Sequence, residues 1–290
     1  MKDIIKILYK SYSDMKIGVI GLGFVGGAMY KSFEDKGLVE GSDLFGYDKY
    51  KNGGIGTIEN IYSTDVVFLA LPTIYNSKLC SYDKTPIYET CKILEGEGYR
   101  GGIVIKSTVE PETTNMLEDK YNLNFIHNPE FLTARTAYED FKNQTHIVLG
   151  KGSKCEKEPF EDVVQFYKRL YPNAEISRCT SLESESMKIY VNCFYANKVQ
   201  FFTEIFLTCQ KNGSDYKKIV DMMLKNGWIN PMHTTVPGPD GNISYGGLCF
   251  PKDTNALRKY MDRLEIPNSV LSAVIEERNS MRNDHDNVKL

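Results

Sequence analysis

The 290-residue sequence lacks any uninterrupted apolar stretch approaching the ~20 residues that a membrane-spanning helix requires. Its opening, Met1 to Asp14, breaks up its isoleucines with Lys2, Lys6 and Lys10, leaving too short an apolar run for a signal peptide. No C-x-x-C pair occurs either. The seven cysteines, Cys80, Cys91, Cys155, Cys179, Cys193, Cys209 and Cys249, are odd in number and scattered, which predicts reduced thiols and a cytoplasmic setting. His127, His146, His233 and His285 are equally dispersed; with neither zinc-ligand spacing nor an H-E-x-x-H pattern, no metal is expected. An excess of one charge is also missing. A net charge of −3 from 35 basic and 38 acidic residues gives no general attraction to nucleic acid, and no membrane partner is expected. What is present, 41% apolar and 25% charged residues, is the balance of a globular chain, and the length fits two domains.

From Lys16 onwards, short β-branched runs alternate with helical stretches. The runs are Ile17 to Ile20, Leu44 to Tyr47, Val66 to Ala70, Ile103 to Lys106, Asn124 to Ile126 and His146 to Leu149, with a last short one at Ala174 to Ser177. Strands at that spacing predict an α/β fold with a Rossmann-type, doubly wound parallel sheet. After Arg178 the character changes. Ser181 to Asn212 contains neither Pro nor Gly and carries apolar residues at helical spacing, predicting one long helix. Further helices are predicted at Tyr216 to Asn226 and Pro267 to Asn283, separated from each other by the Pro- and Gly-rich loop Gly227 to Gly247. The expected division is an N-terminal extension over 1–15, a dinucleotide-binding domain over 16–178 and an all-helical domain over 179–290 built on the long helix.

The first predicted strand runs directly into Gly21-Leu22-Gly23-Phe24-Val25-Gly26, with a helix expected from Gly27 to Asp35. In such a turn the first glycine permits the tight bend, the second lets backbone approach a pyrophosphate, and the third lets helix pack on strand. The helix N-terminus then faces the phosphates. Asp48 ends the next strand roughly 20 residues on, where ribose hydroxyls would sit. A carboxylate there would repel a 2′-phosphate and favour NAD over NADP, a discrimination that Lys49 and Lys51 weaken. These glycines could instead simply shape a turn, with Asp48 capping a loop.

The segment Tyr245-Gly246-Gly247-Leu248-Cys249-Phe250-Pro251-Lys252-Asp253 is the sharpest chemical signal. Paired glycines allow a substrate close to the backbone, and a lysine and an aspartate follow the cysteine within four residues. A nearby cation or polarising group turns a thiol of ordinary pKa near ~8.5 into a usable nucleophile. The other six cysteines are expected to be small core hydrophobes.

This segment resembles the G-G-x-C-F-P-K-D motif of the UDP-glucose/GDP-mannose dehydrogenase family, and four other stretches agree in order. Lys106-Ser107-Thr108-Val109, with Thr113-Thr114, resembles the family's K-S-T-V…T-T; Asn128-Pro129-Glu130-Phe131-Leu132 its N-P-E-F-L; Leu71-Pro72-Thr73 its V-P-T-P loop. Glu185-x-x-Lys188-x-x-x-Asn192, with Ala196, Lys198 and Glu204, resembles the start of its central helix. The resemblance implies NAD-dependent oxidation of a nucleotide sugar at C6, UDP-glucose being the favoured substrate, by two successive hydride transfers. It implies that Cys249 captures the aldehyde as a thiohemiacetal and carries the thioester; that Lys188 and Asn192, four apart on one helix face, stabilise developing oxyanions; and that Asp253 with a water helps remove the alcohol proton. It places Glu130 at thioester hydrolysis and has Thr108 hold the reacting water or hydroxyl. Cofactor contacts are implied for Gly21, Gly23, Phe24, Val25, Gly26, Asp48, Pro72, Thr73, Ser107, Thr108 and Lys252. Substrate contacts are implied for Phe131, Leu132, Lys188, Asn192, Tyr245, Gly246 and Gly247. A homodimer through the long helix from Ser181 is also implied. Lys188 with Glu185 could equally be a solvated helix pair, and Glu130 could simply start a helix.

The sequence departs from the family pattern in three places. Ala134, followed by Arg135, stands where the family carries a second acid. The loop before Gly246 lacks the family's short arginine-bearing segment and offers Trp228 and His233 instead, either of which could stack on substrate or merely pack. The family continues into a further α/β domain that holds base and ribose and has no counterpart up to Leu290, so weak, poorly nucleotide-selective turnover is expected. Two other readings remain open. One is a 3-hydroxyacid dehydrogenase of the 6-phosphogluconate type, which needs no nucleophilic cysteine. The other is a non-catalytic nucleotide-binding or dimerising module.

Overall fold

A computed structural model describes residues 15–76, 78, 81–133 and 135–284; the predicted N-terminal extension apart from Met15, together with Cys80 and Ala134, lies outside the described residues. The chain forms two compact units, Met1–Thr73 with Asp83–Ser186, and Ile74–Tyr82 with Met187–Leu290.

The elements follow in the order β1 (Ile17–Ile20), α1 (Phe24–Asp35), β2 (Leu44–Tyr47), β3 (Val66–Leu69), β4 (Tyr75–Asn76), β5 (Ser81–Tyr82), α2 (Thr85–Gly96), β6 (Gly102–Ile105), α3 (Thr113–Lys120), β7 (Asn124–His127), α4 (Ala137–Lys142), β8 (His146–Lys151), α5 (Lys157–Leu170), β9 (Glu175–Thr180), α6 (Ser181–Asn212), α7 (Tyr216–Lys225), α8 (Phe250–Arg263) and α9 (Ser269–Met281).

The first unit is a seven-stranded sheet in the order β2-β1-β3-β6-β7-β8-β9. Strand side chains alternate between faces with a period of two, and here both faces are apolar. Ile17, Val19, Val66, Phe68 and Val104 join one core with Phe33 of α1, Phe141 of α4 and Phe166 and Tyr167 of α5. Ile20, Val67, Leu69, Ile103 and Ile105 join the other with Ile87, Cys91 and Leu94 of α2 and Leu117 of α3. That is why β1, β3 and β6 read as continuous β-branched runs: helices cover both sides of a parallel sheet. The first core interlocks aromatic rings edge to face, Phe33 on Phe166 at 5.0 Å and Phe33 on Phe141 at 5.9 Å between centroids, geometries that add to burial. The doubly wound sheet therefore holds, with one correction. β7 and β8 pair antiparallel, through Ile126↔Lys151 and His127↔Gly150, so the sheet is mixed. The short α4 and its flanking loops return the chain to the same end of the sheet from which β7 leaves it, without a crossover.

The second unit is helical but not wholly so. The antiparallel ribbon β4–β5, pairing Tyr75 with Tyr82, belongs to it although sequence order places the ribbon inside the first domain. Tyr82 packs with Ile189 and Cys193 of α6, Ala256 and Leu257 of α8, and Leu271 and Ile275 of α9. A second cluster joins Phe202 of α6, Val220 of α7 and Val236. The long helix has the predicted bounds. α7 starts where Asp215 caps it, its carboxylate accepting the Lys218 N–H at 3.0 Å, and one such cap stabilises a helix by ~1 kcal/mol. α1 begins at Phe24 rather than Gly27, because Gly26 and Gly27 sit inside its first turn. The sequence reading gave no helix at 250–263; α8 places Pro251 in its first turn, where the missing N–H is harmless.

Candidate active site

In the first unit, the strand order reverses between β1 and β3, whose carboxyl ends form the crevice in which doubly wound sheets bind ligands. Gly21 turns the chain with φ +87°, and a Cβ there would meet the Ala70 carbonyl oxygen at 2.5 Å. At Gly26 a Cβ would fall on the Gly21 carbonyl oxygen, so that position is set by helix-to-turn packing. Gly23 is different: a Cβ would meet nothing within 4 Å. Its open side, just before the first N–H groups of α1, is where a phosphate can approach the backbone. Phe24 is exposed beside it.

The Asp48 side chain is already engaged. Its Oδ2 accepts the Leu22 N–H at 2.8 Å, and its Oδ1 accepts the Tyr50 and Lys51 N–H groups at 3.0 and 2.9 Å. Partial burial pushes its pKa up, but those backbone donors and the Lys51 charge outweigh it and leave the carboxyl below its ordinary value. Asp48 thus ties the glycine turn to the loop after β2, and an anion is kept where ribose hydroxyls would reach it. Lys51 adds to the same turn, Nζ donating to the Leu22 carbonyl at 2.5 Å.

The three motif stretches at the strand ends are stitched together. Ser107 Oγ donates to the Leu71 carbonyl at 2.7 Å and accepts the Leu71 N–H at 2.9 Å. Thr73 Oγ1 donates to the Thr108 carbonyl at 2.7 Å. Lys106, 2% exposed, donates to Asn128 Oδ1 at 3.0 Å and to the Pro129 carbonyl at 3.2 Å. The Asn128 amide in turn donates to the Val148 carbonyl at 2.7 Å. The Glu130 carboxylate accepts the Leu132 N–H at 2.7 Å, and Phe131 is exposed beside it. Ser107, expected at the cofactor, spends its hydroxyl holding Leu71-Pro72-Thr73 in place. Glu185, at the start of α6, is fully buried and accepts the Thr114 N–H and hydroxyl at 2.7 and 2.6 Å. Burial raises its pKa to about 7 against those bonds. It is no solvated partner for Lys188; it docks the T-T segment.

In the second unit, the centre is Asp253, with no solvent exposure. Its Oδ2 accepts from the Asn192 amide at 2.6 Å; its Oδ1 accepts from Lys252 Nζ at 2.5 Å and from the Tyr82 hydroxyl. Lys252 Nζ also lies 4.3 Å from the centre of the Tyr82 ring. A carboxylate removed from water needs such donors to be tolerable at all. Lys188, one turn before Asn192 on α6, is 4% exposed. Cys249 is exposed and occupies the N-cap position of α8, beside that helix's first backbone N–H groups. Gly247, with φ +78°, faces open space. Among the other described cysteines, Cys91, Cys155, Cys193 and Cys209 are buried; burial pushes the Cys91 thiol up to about 12 and Cys193 higher still.

Tyr82 was not visible as a site residue. Its hydrogen bond crosses 171 residues of sequence, and nothing in the short polar ribbon distinguishes it. His233 stacks on Tyr195 with centroids 4.5 Å apart and meets Phe250 edge-on at 5.5 Å, so it packs against the residue that follows Cys249. Burial, then the Lys198 charge, lowers its pKa. Trp228 is 89% exposed. Among the described residues, no three His, Cys, Asp or Glu side chains gather as metal ligands would, and no helix is long and apolar enough to cross a membrane.

Residues 54–172 match the NAD binding domain of the UDP-glucose/GDP-mannose dehydrogenase family, and residues 182–280 match that family's central domain. The chain belongs to this family. It is 29% identical over 220 residues to the UDP-glucose 6-dehydrogenase of Campylobacter jejuni, covering 75% of this chain and 53% of that protein. It is 28% identical over 305 residues to the UDP-glucose 6-dehydrogenase of Bacillus subtilis, covering 92% of this chain and 63% of that protein. The chain therefore spans less than two thirds of the length of these relatives. Its fold resembles that of a UDP-glucose dehydrogenase from Pyrobaculum islandicum with a TM-score of 0.76 at 23% identity, over 94% of this chain and 70% of that one. The open glycine turn fits the dinucleotide that the family's NAD binding domain takes.

Proposed function

We propose that the chain oxidises the C6 alcohol of a nucleotide sugar, UDP-glucose being favoured, to a carboxylate through a thioester on Cys249. The observation that carries this reading is the buried Asp253 cluster of Asn192, Lys252 and Tyr82, four residues along the chain from a thiol at a helix N-terminus. A 3-hydroxyacid dehydrogenase would have no use for that thiol.

NAD held at the glycine turn would supply the hydride acceptor, one molecule for the alcohol and, once that NADH has been exchanged, a second molecule for the captured aldehyde. The open Gly23 and the α1 N-terminus would hold its phosphates and Asp48 the ribose, with the loops fixed by Ser107 and Thr73 lining its path. As the alcohol loses hydride, its proton passes through a water to Asp253. The Cys249 thiolate then adds to the aldehyde carbon, and the new oxyanion is met by Lys188 and the Asn192 amide, donors preorganised on one helix face. Loss of the second hydride leaves a thioester; water hydrolyses it, returning the thiol and releasing the carboxylate. Glu130 assists that hydrolysis and Thr108 holds the water. The exposed aromatic side chains of α6, Tyr190, Phe194 and Phe201, support a homodimer through this helix.

The test is to incubate the protein with NAD and a panel of nucleotide sugars while following NADH and product mass. The expected result is two NADH for each uronate. One NADH per substrate, or reduction of NAD only with a 3-hydroxyacid, overturns the reading.

A further inference from the structure

The segment that leads into Cys249 has no regular secondary structure, yet it is gripped from two sides. From α6, Thr203 Oγ1 accepts the Ser244 N–H at 3.0 Å, and the Gln200 side-chain oxygen lies 2.5 Å from Ser244 Oγ. Gln200 is held in turn, its amide donating to Glu277 Oε2 of α9 at 2.7 Å. The other grip comes from the C-terminal end of α9. Arg278, 2% exposed, donates from Nε to the Tyr245 carbonyl at 3.2 Å. Arg282 donates from one terminal nitrogen to the Ile243 and Ser244 carbonyls at 3.3 and 3.5 Å. Three consecutive carbonyls are thus met by two guanidinium groups.

Both guanidiniums are themselves fixed. Arg282 donates to Asp240 Oδ2 at 2.6 Å and Asp284 Oδ2 at 3.0 Å, while Arg278 bonds Asn279 Oδ1 at 3.0 Å and pairs with Asp284. The Arg282 guanidinium also fills the space where a Cβ on residue 246 would stand. Gly246 is therefore required by the arginine as much as by any substrate. A planar, permanently charged fork suits this task, because it can satisfy carbonyls and carboxylates together in one geometry. Behind Tyr245 only two glycines and Leu248 separate the clamped backbone from the thiol.

We propose that Arg278 and Arg282 are positioning residues that hold the backbone of Ile243–Tyr245 and so aim Cys249. This rests on the role given to Cys249 above, but its test needs no turnover. In the full chain, peptide-resolved hydrogen exchange and the pH profile of Cys249 alkylation by iodoacetamide are compared for the parent, Arg282→Gln, Arg282→Lys and Asp240→Asn. Arg282→Gln is expected to speed exchange over 244–248 by at least about tenfold and to displace the alkylation profile, leaving exchange in α6 and α8 unchanged. Arg282→Lys is not expected to rescue it, since an ammonium cannot span the same acceptors. Asp240→Asn, at an exposed partner, should give the same local change at smaller size even if the arginine variants fail to fold. Gly246→Ala should mimic the arginine loss alone and add little to it in the double variant. Unchanged exchange and alkylation in the folded variants overturns the proposal, and so does a uniform rise in exchange across the helical unit. If the clamp holds but no sugar is oxidised, the failure lies with the proposed function.

Discussion

The two units build their chemistry from different materials. In the first, the working surface is mostly backbone: an open glycine, helix N–H groups and strand ends whose loops are stitched by Ser107, Thr73 and Lys106. In the second it is side chain, with one buried carboxylate gathering three donors and a thiol nearby at a helix end. A backbone site tolerates change in residues that only stitch it. A side-chain hub fails with the loss of its carboxylate, because the donors gathered on it then lose their shared acceptor in a buried place.

The largest effect expected of this contrast is at the thiol. Cys249→Ala should abolish conversion to the acid while leaving NAD affinity unchanged, since nothing else can hold the aldehyde for a second oxidation; titration of NAD and product mass check it. Next is the hub. Asp253→Asn keeps the shape but turns an acceptor into a partial donor facing Asn192, Tyr82 and Lys252, and kcat should fall by ~100- to 10,000-fold with the Kd for NAD within error of the parent. Equal losses of kcat and NAD binding would break the comparison.

A smaller effect is expected in the first unit. Asp48→Ala removes a charge-assisted acceptor worth ~1.5–3 kcal/mol and should weaken NAD about tenfold or more while relaxing discrimination against NADP. Equal affinities in both proteins would show that Asp48 serves only the Leu22, Tyr50 and Lys51 N–H groups. The smallest effect concerns stability alone. Burial raises the Glu185 pKa to about 7, so its favourable contribution is complete below the ordinary glutamate value and is lost as pH rises through about 7. Denaturant unfolding from about pH 5 to about pH 8 should show this decline in the parent and a flatter profile in Glu185→Gln. Parallel profiles would contradict it.

Strands, long helix and glycine turn were legible because each rests on local periodicity or on a backbone conformation that only glycine adopts without strain. The antiparallel β7–β8 pair was not, since the connection over 128–145 is long enough and contains a helix, as a parallel crossover would. Tyr82 and the Asp253 cluster share the same difficulty. Asp253 could be singled out by its place after Cys249, but its partners at 82 and 192 meet it only through tertiary packing. Nothing in the sequence sets Arg278 and Arg282 apart from the charged end of an ordinary helix; the carbonyls opposite them do. For Glu185 the sequence left a solvated pair with Lys188 open, because E-x-x-K is also that spacing, and only its burial against Thr114 decides otherwise.

The central claim is that Cys249 becomes covalently acylated during the reaction. It is tested most directly by quenching the protein in acid during turnover with NAD and UDP-glucose, using Glu130→Gln to slow hydrolysis, and weighing the Cys249 peptide. The expected outcome is that peptide carrying the sugar nucleotide as an acyl thioester, released by hydroxylamine. Formation of the uronate with two NADH while the Cys249 peptide stays unmodified, and persists unchanged in Cys249→Ala, would contradict it.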